Sequence, residues 1–144
     1  MSTRRLDACN KDRIVSLIEV PVSYGELIDK ITILEIKSER IGDPEKLINI
    51  DRELQLLTQT WKNSAAARHD IADARARLKE INEKLWEIED QIRLKESARS
   101  FDEQFITLAR DVYYTNDIRS RIKREINLAL GSELVEEKSY QDYQ

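Results

Sequence analysis

Residues 71–92 read IADARARLKEINEKLWEIEDQI. Along them Ile71, Ala74, Leu78, Ile81, Leu85, Ile88 and Ile92 recur at alternating spacings of three and four. That is the period of a helix–helix seam, with one face apolar throughout and the others polar. Glu80 and Lys84, and Glu89 and Arg93, are oppositely charged i,i+4 pairs in the favourable order on its exposed flank. The stretch predicts a helix over about 67–97, and such a helix needs other helices to cover its stripe.

Upstream, Leu47, Ile50, Leu54, Leu57 and Trp61 repeat the pattern and predict a helix over 44–63, with Asp43 as N-cap and Pro44 as first helical residue. The short Gly42-Asp43-Pro44 turn sets it antiparallel to a first helix over 24–41. Ser23 and Glu26 form a capping box at the start of that helix. Leu27, Ile31, Leu34 and Ile41 share one of its faces, while Ile33 and Ile36 lie roughly opposite, so more than one neighbour must bury it. Residues 14–22 are β-branched and part-alternating, with Pro21 near the end, and read as one short edge strand. Its candidate partners are residues 133–136 or the same segment of a second subunit. Residues 1–12 are polar, unpatterned and expected to be a disordered arm.

Downstream, Ser100 and Glu103 form a second capping box. Phe101, Phe105, Leu108 and Val112 make one stripe, and Ile118, Ile122 and Ile126 make another, rotated by roughly a quarter turn. The phase slip predicts a break near Tyr114-Thr115-Asn116 and two helices, 101–114 and 116–130. Gly131 is the stop signal. Residues 132–144 form a charged tail with Tyr140 and Tyr143. The expectation is one domain over 13–131: an all-α antiparallel helical bundle built of coiled-coil hairpins, with one short N-terminal strand.

Composition agrees. Charged residues are 36% and aromatics 6% of 144, with three glycines and two prolines, which suits long helices joined by short turns. The formal net charge of −4 gives no expectation of nucleic-acid binding. Arg119, Arg121, Lys123 and Arg124 cluster in one dimension but scatter around a helix axis, with acidic residues interleaved. The single cysteine, Cys9, excludes an internal disulfide and fits a reducing compartment. There is no signal-peptide pattern and no apolar run of the roughly 20 residues a membrane span needs. A soluble cytoplasmic protein is expected, with no membrane association.

No catalytic or ligand-binding motif rises above background. One histidine, His69, and one cysteine cannot supply a usual zinc site, and the Glu-x-x-His motif of di-iron bundles is missing. No metal and no cofactor are expected. Glu87 and Asp90 lie one turn apart, as carboxylates do in helical nucleotide pyrophosphatases, but no matching Glu-x-x-Glu exists; Glu35 and Glu39 substitute only loosely. The plain reading is a solvated helix face. The densest polar-aromatic run spans 110–119, at the phase slip. A local break there exposes backbone groups, which makes Arg110, Tyr113, Asn116, Asp117 and Arg119 the candidate ligand-binding residues. The plain reading of that run is a capped kink with packed tyrosines.

Two groups of residues resemble a known family when taken together. One is the run from Val22-Ser23-Tyr24-Gly25-Glu26-Leu27 to Glu35-Ile36-Lys37. The other comprises Leu85-Trp86-Glu87-Ile88-Glu89-Asp90, Phe101-Asp102, Tyr113, Thr115-Asn116-Asp117 and Glu136-Glu137-Lys138-Ser139-Tyr140. The family is one of small helical bacterial proteins classed as a domain of unknown function, and the likeness covers nearly all the chain from about Ile18. It implies a stand-alone or fusible module and an association with tetratricopeptide-type or sugar-transfer proteins. It brings no reaction and no catalytic residues. It directs interest to Tyr113, Asn116, Asp117, Lys138 and Tyr140, which lie off the predicted core.

Two functions are therefore set against each other. The first is a non-enzymatic helical interaction or accessory module with a protein partner. Such a module is expected to be a homodimer through Ile33 and Ile36, which have no assured partner within the chain. The alternative is a small-molecule binder or enzyme at the Tyr113–Arg119 kink or at a carboxylate cluster near Glu87 and Asp90. A binder gathers these side chains around a concave pocket; an adaptor disperses them and offers a flat apolar patch.

Overall fold

The computed structural model describes residues 16–143. The expectations for residues 1–12 and Cys9 lie outside that range. The strand expected over 14–22 begins outside it, and its described part, 16–22, is neither helix nor strand.

Helix α1 (Tyr24–Arg40) starts where the Ser23 hydroxyl accepts from the Glu26 amide at 3.2 Å. Asp43 caps α2 (Pro44–Asn63) in the same way. A single 3-10 turn, Ala65–Arg68, precedes α3 (Ala72–Ser97), where one longer helix from 67 was expected. The cap of α4 (Glu103–Ala129) is Asp102, which accepts from the Phe105 amide at 3.0 Å. The Ser100 hydroxyl instead donates to the Asp102 carboxylate, so the helix begins later than the Ser100 capping box predicted.

The expected break at 114–116 does not occur: α4 is one helix. The stripe rotates because the helix changes neighbours. Leu108 shares a cavity with Leu94 and Lys95 of α3, whereas every hydrogen bond from α4 to α1 among the described residues falls between Arg119 and Asn127. Buried Thr115 sits where one set of contacts gives way to the other.

Helix α1 is the hub and touches all three other helices, whereas α2 packs only on α1 and the 3-10 turn. It runs antiparallel to α4, since Gly25 meets Asn127 and Asp29 meets Arg119. The apolar core joins Leu27, Ile28 and Ile31 to Trp61, Leu78, Ile122 and Ile126. The heptad stripe of α3 is buried or half-buried along its length, as predicted. Ile36 is 1% exposed within the protomer, so it offers no surface to a second copy; Ile33 is half-buried. Both residues line a groove whose other walls come from Leu85 and Trp86 of α3 and Asn116 and Arg119 of α4.

Among these apolar residues lies a polar layer. Asp29 is 1% exposed. Its carboxylate accepts two hydrogen bonds from the Arg119 guanidinium, one of them at 2.9 Å, and one from the Asn82 amide at 2.9 Å. Asn82 also donates to the Thr32 hydroxyl at 3.0 Å, and that hydroxyl donates to the Asp29 carbonyl. No buried side-chain polar atom among the described residues lacks a partner. Removing one member of a buried ion pair leaves the other uncompensated, at roughly 3–5 kcal/mol. Arg119→Ala is expected to fall at the low end of that range, about 3 kcal/mol in a urea melt, because the guanidinium keeps some solvent contact. A loss below about 1 kcal/mol means that Asp29 is answered by water instead.

Candidate functional site

Arg119 turns inward, and that sets the rotation of α4. Tyr113, Asn116, Asp117, Ser120, Lys123, Arg124 and Asn127 recur at three- and four-residue spacing, which brings them along one side of the helix. This side is not left bare. Gly131 takes a left-handed φ of +62°, and the Ser132 amide donates to the Asn127 carbonyl at 2.8 Å, closing a Schellman turn. The chain then runs back antiparallel along α4. Lys123 Nζ donates to Glu136 at 3.0 Å, Arg124 donates to Glu137 at 2.9 Å, and the Tyr143 hydroxyl donates to Asp117.

Between this strap and the helix lies a groove of about 630 Å³. Tyr113, Asn116 and Asp117 line it from α4, and Lys138, Tyr140 and Tyr143 line it from the tail. Tyr143 stacks edge-on against Tyr113 and Tyr114 at 5.2 and 5.0 Å between ring centroids. Lys138 Nζ lies 5.7 Å from the Tyr140 ring centroid, within cation–π range.

Of the five residues singled out in the 110–119 run, the groove takes three. Arg110 lies beside it, with its guanidinium 5.9 Å from the Tyr114 ring centroid and a long hydrogen bond to the Tyr114 hydroxyl. Arg119 belongs to the buried layer and reaches only a separate groove of about 420 Å³ shared with Ile33, Ile36, Trp86 and Asp90. The carboxylates do not gather. Glu87 is paired with Arg40 at 3.3 Å while Asp90 faces that second groove. Glu35 and Glu39 are taken by Arg75 and Lys79. Among the described residues no three His, Cys, Asp or Glu side chains converge as a metal site, and no helix is long and apolar enough to cross a membrane.

Residues 18–143 match the model of a family of unknown function, DUF6165. The chain belongs to that family. It matches no curated protein and no solved structure. The DUF6165 match runs through the tail, so the residues of the strap lie within the matched region. Both Gly25 and Ser132 serve that geometry. A Cβ on Gly25 would collide with the Lys123 carbonyl, so glycine lets α1 close on α4. The Gly25 amide donates to Asn127 at 2.7 Å, and the Tyr24 amide reaches the Ser132 hydroxyl. Sequence reading saw Gly25 only as part of a cap; the one available signal was a glycine inside a first helical turn, where it weakens the helix.

The tail contacts also set charge states. Burial pulls the Lys123 ammonium down, but its bonds to Glu26 and Glu136 outweigh this and leave it above the ordinary lysine value. The Lys123 hydrogen bond holds Glu136 below the usual carboxylate range. The bond to Asp117, with some desolvation, pushes Tyr143 up from 10.0 to about 12. Its neutral hydroxyl is the bonded form, so the contact is intact below pH 10.0 and is lost as pH rises through about 12. Phenolate absorbance should therefore show one of the five tyrosines ionising late, and Asp117→Asn should return it to the ordinary value. Five tyrosines titrating together would contradict the contact.

Proposed function

We propose that this protein is a non-enzymatic binding module that holds a small ligand in the groove between α4 and its C-terminal tail. One observation carries the reading. Tyr113, Asn116, Asp117, Lys138 and Tyr140, set apart in the sequence as off-core positions, all line one concave space. Aromatic faces supply contact area at little entropic cost, and the amide, carboxylate and ammonium supply orientation. Proton-transfer chemistry is poorly served. The Asp117 carboxylate is bonded to a tyrosine held near 12, far from the neutral value that favours a general acid or base.

The test is a thermal-shift screen of small aromatic and polar compounds on the full chain. A ligand at a hundredfold excess over its Kd stabilises by about 2.7 kcal/mol, a shift of several degrees. Tyr140→Ala should keep the unliganded melting temperature, since its side chain is 74% exposed, and Tyr113→Ala should lower it slightly through lost ring contacts with Tyr114 and Tyr143; both should abolish the shift. Ligands that shift both variants as strongly as the parent would sink the groove reading.

A second reading, as a helical accessory subunit, has its own support. The end of the α3–α4 hairpin carries Leu94, Phe101 and Ile106 at 70%, 57% and 54% exposure. The occupant we assign to it is a second copy, because the tip also carries Arg93 and Arg99 with Glu96 and Glu103, and a twofold contact sets unlike charges against each other. Light scattering should then report a dimer that Phe101→Asp converts to monomer. A monomer mass for the unaltered chain at micromolar concentration removes this reading.

A further inference from the structure

The tyrosine groove does not end at Lys138. A second cavity of about 310 Å³ adjoins it, and Ser120 and Lys138 line both. Its walls carry Arg121, Lys123, Arg124 and Lys138, against the two tail carboxylates Glu136 and Glu137. By helical period alone the α4 cations scatter around the helix axis. The returning tail gathers them, because it adds Lys138 and closes the wall opposite α4.

The charges in this cavity do not balance. Lys123 binds Glu136 at 3.0 Å, and Arg124 binds Glu137 at 2.9 Å. Lys138 shares Glu136 at 3.6 Å, and Arg121 lines the same wall. Glu26 also reaches Lys123, but it is shared with Lys30 of its own helix. Four cations facing two carboxylates leave two positive charges over. A phosphate monoester carries about −1.5 to −2 at neutral pH, whereas a single carboxylate would leave one charge unanswered. Two guanidinium forks also match tetrahedral oxyanions in geometry.

We propose that the two cavities form one site and that its ligand is a phosphate ester of an aromatic ring. The ring lies against Tyr113, Tyr140 and Tyr143, and the phosphate is seated among Arg121, Arg124 and Lys138. The proposal rests on the groove reading above and adds the ligand's chemical class. Lys138 is the joint: it lines both cavities, with its ammonium near Glu136 on one side and the Tyr140 ring on the other.

Two matched pairs of probes test this, AMP with adenosine and phenyl phosphate with phenol, titrated into the full chain with amide chemical shifts as readout. Each phosphate should bind at least about tenfold more tightly than its parent, and the gain should shrink with added salt. The double variant Arg121→Gln, Arg124→Gln changes two exposed side chains and gives up one exposed ion pair to Glu137, so its melting temperature should fall only slightly while its phosphate gain is lost. If parent and phosphate bind equally, the phosphate seat is overturned while the groove stands. A gain that survives in the double variant places the phosphate elsewhere and overturns it too. If none of the four compounds perturbs the Tyr113 or Tyr140 amides, both readings fall together.

Discussion

A carboxylate taken out of water has to be answered by charge and hydrogen bonds, or it does not stay ionised. Asp29 meets that requirement from two other helices at once, α3 through Asn82 and α4 through Arg119, while Thr32 of its own helix accepts from Asn82 and so holds that amide in place. Apolar stripes specify that helices pack, but they tolerate sliding and rotation. A fork of two hydrogen bonds from one guanidinium to one carboxylate does not. The layer therefore sets the register of α1 against α4 and the rotation of α4 about its own axis. Gly25 works with it one turn away by letting the backbones come close.

The rotation has a consequence on the opposite side of α4. With Arg119 held inside, the side bearing Tyr113, Asp117 and Arg124 faces outward and receives the returning tail. The groove is thus built from unlike materials. One wall is a rigid helix fixed by buried chemistry. The other is an irregular segment held by a part-buried ion pair from Lys123, an exposed one from Arg124 and a tyrosine hydroxyl.

Much of the architecture was legible because it rests on local periodicity. The α3 stripe, the Ser23 and Asp43 caps and the stop at Gly131 are written within a few residues of where they act. The errors have a shared origin. The stripe on α4 rotates between Val112 and Ile118, and in one dimension a change of neighbour looks the same as a break. Ile36 looked unpartnered because the helices that cover it lie far away in the chain. Asp29 and Asn82 are singled out by no pattern in the sequence, since nothing local marks a carboxylate whose partner lies 90 residues on.

The candidate site divides along the same line. Tyr113, Asn116 and Asp117 stood out in the polar-aromatic run of the sequence, and the family resemblance added Lys138 and Tyr140. Helical period alone put the first three on one side of one helix, because 3.6 residues per turn is a property of the backbone. Only the tertiary structure decided that the tail turns back at Gly131, that Arg119 leaves the group to serve Asp29, and that Lys138 joins Arg121 and Arg124. Those outcomes depend on which charges find each other across long stretches of chain, and such pairings become definite only once the packed helices have set the distances.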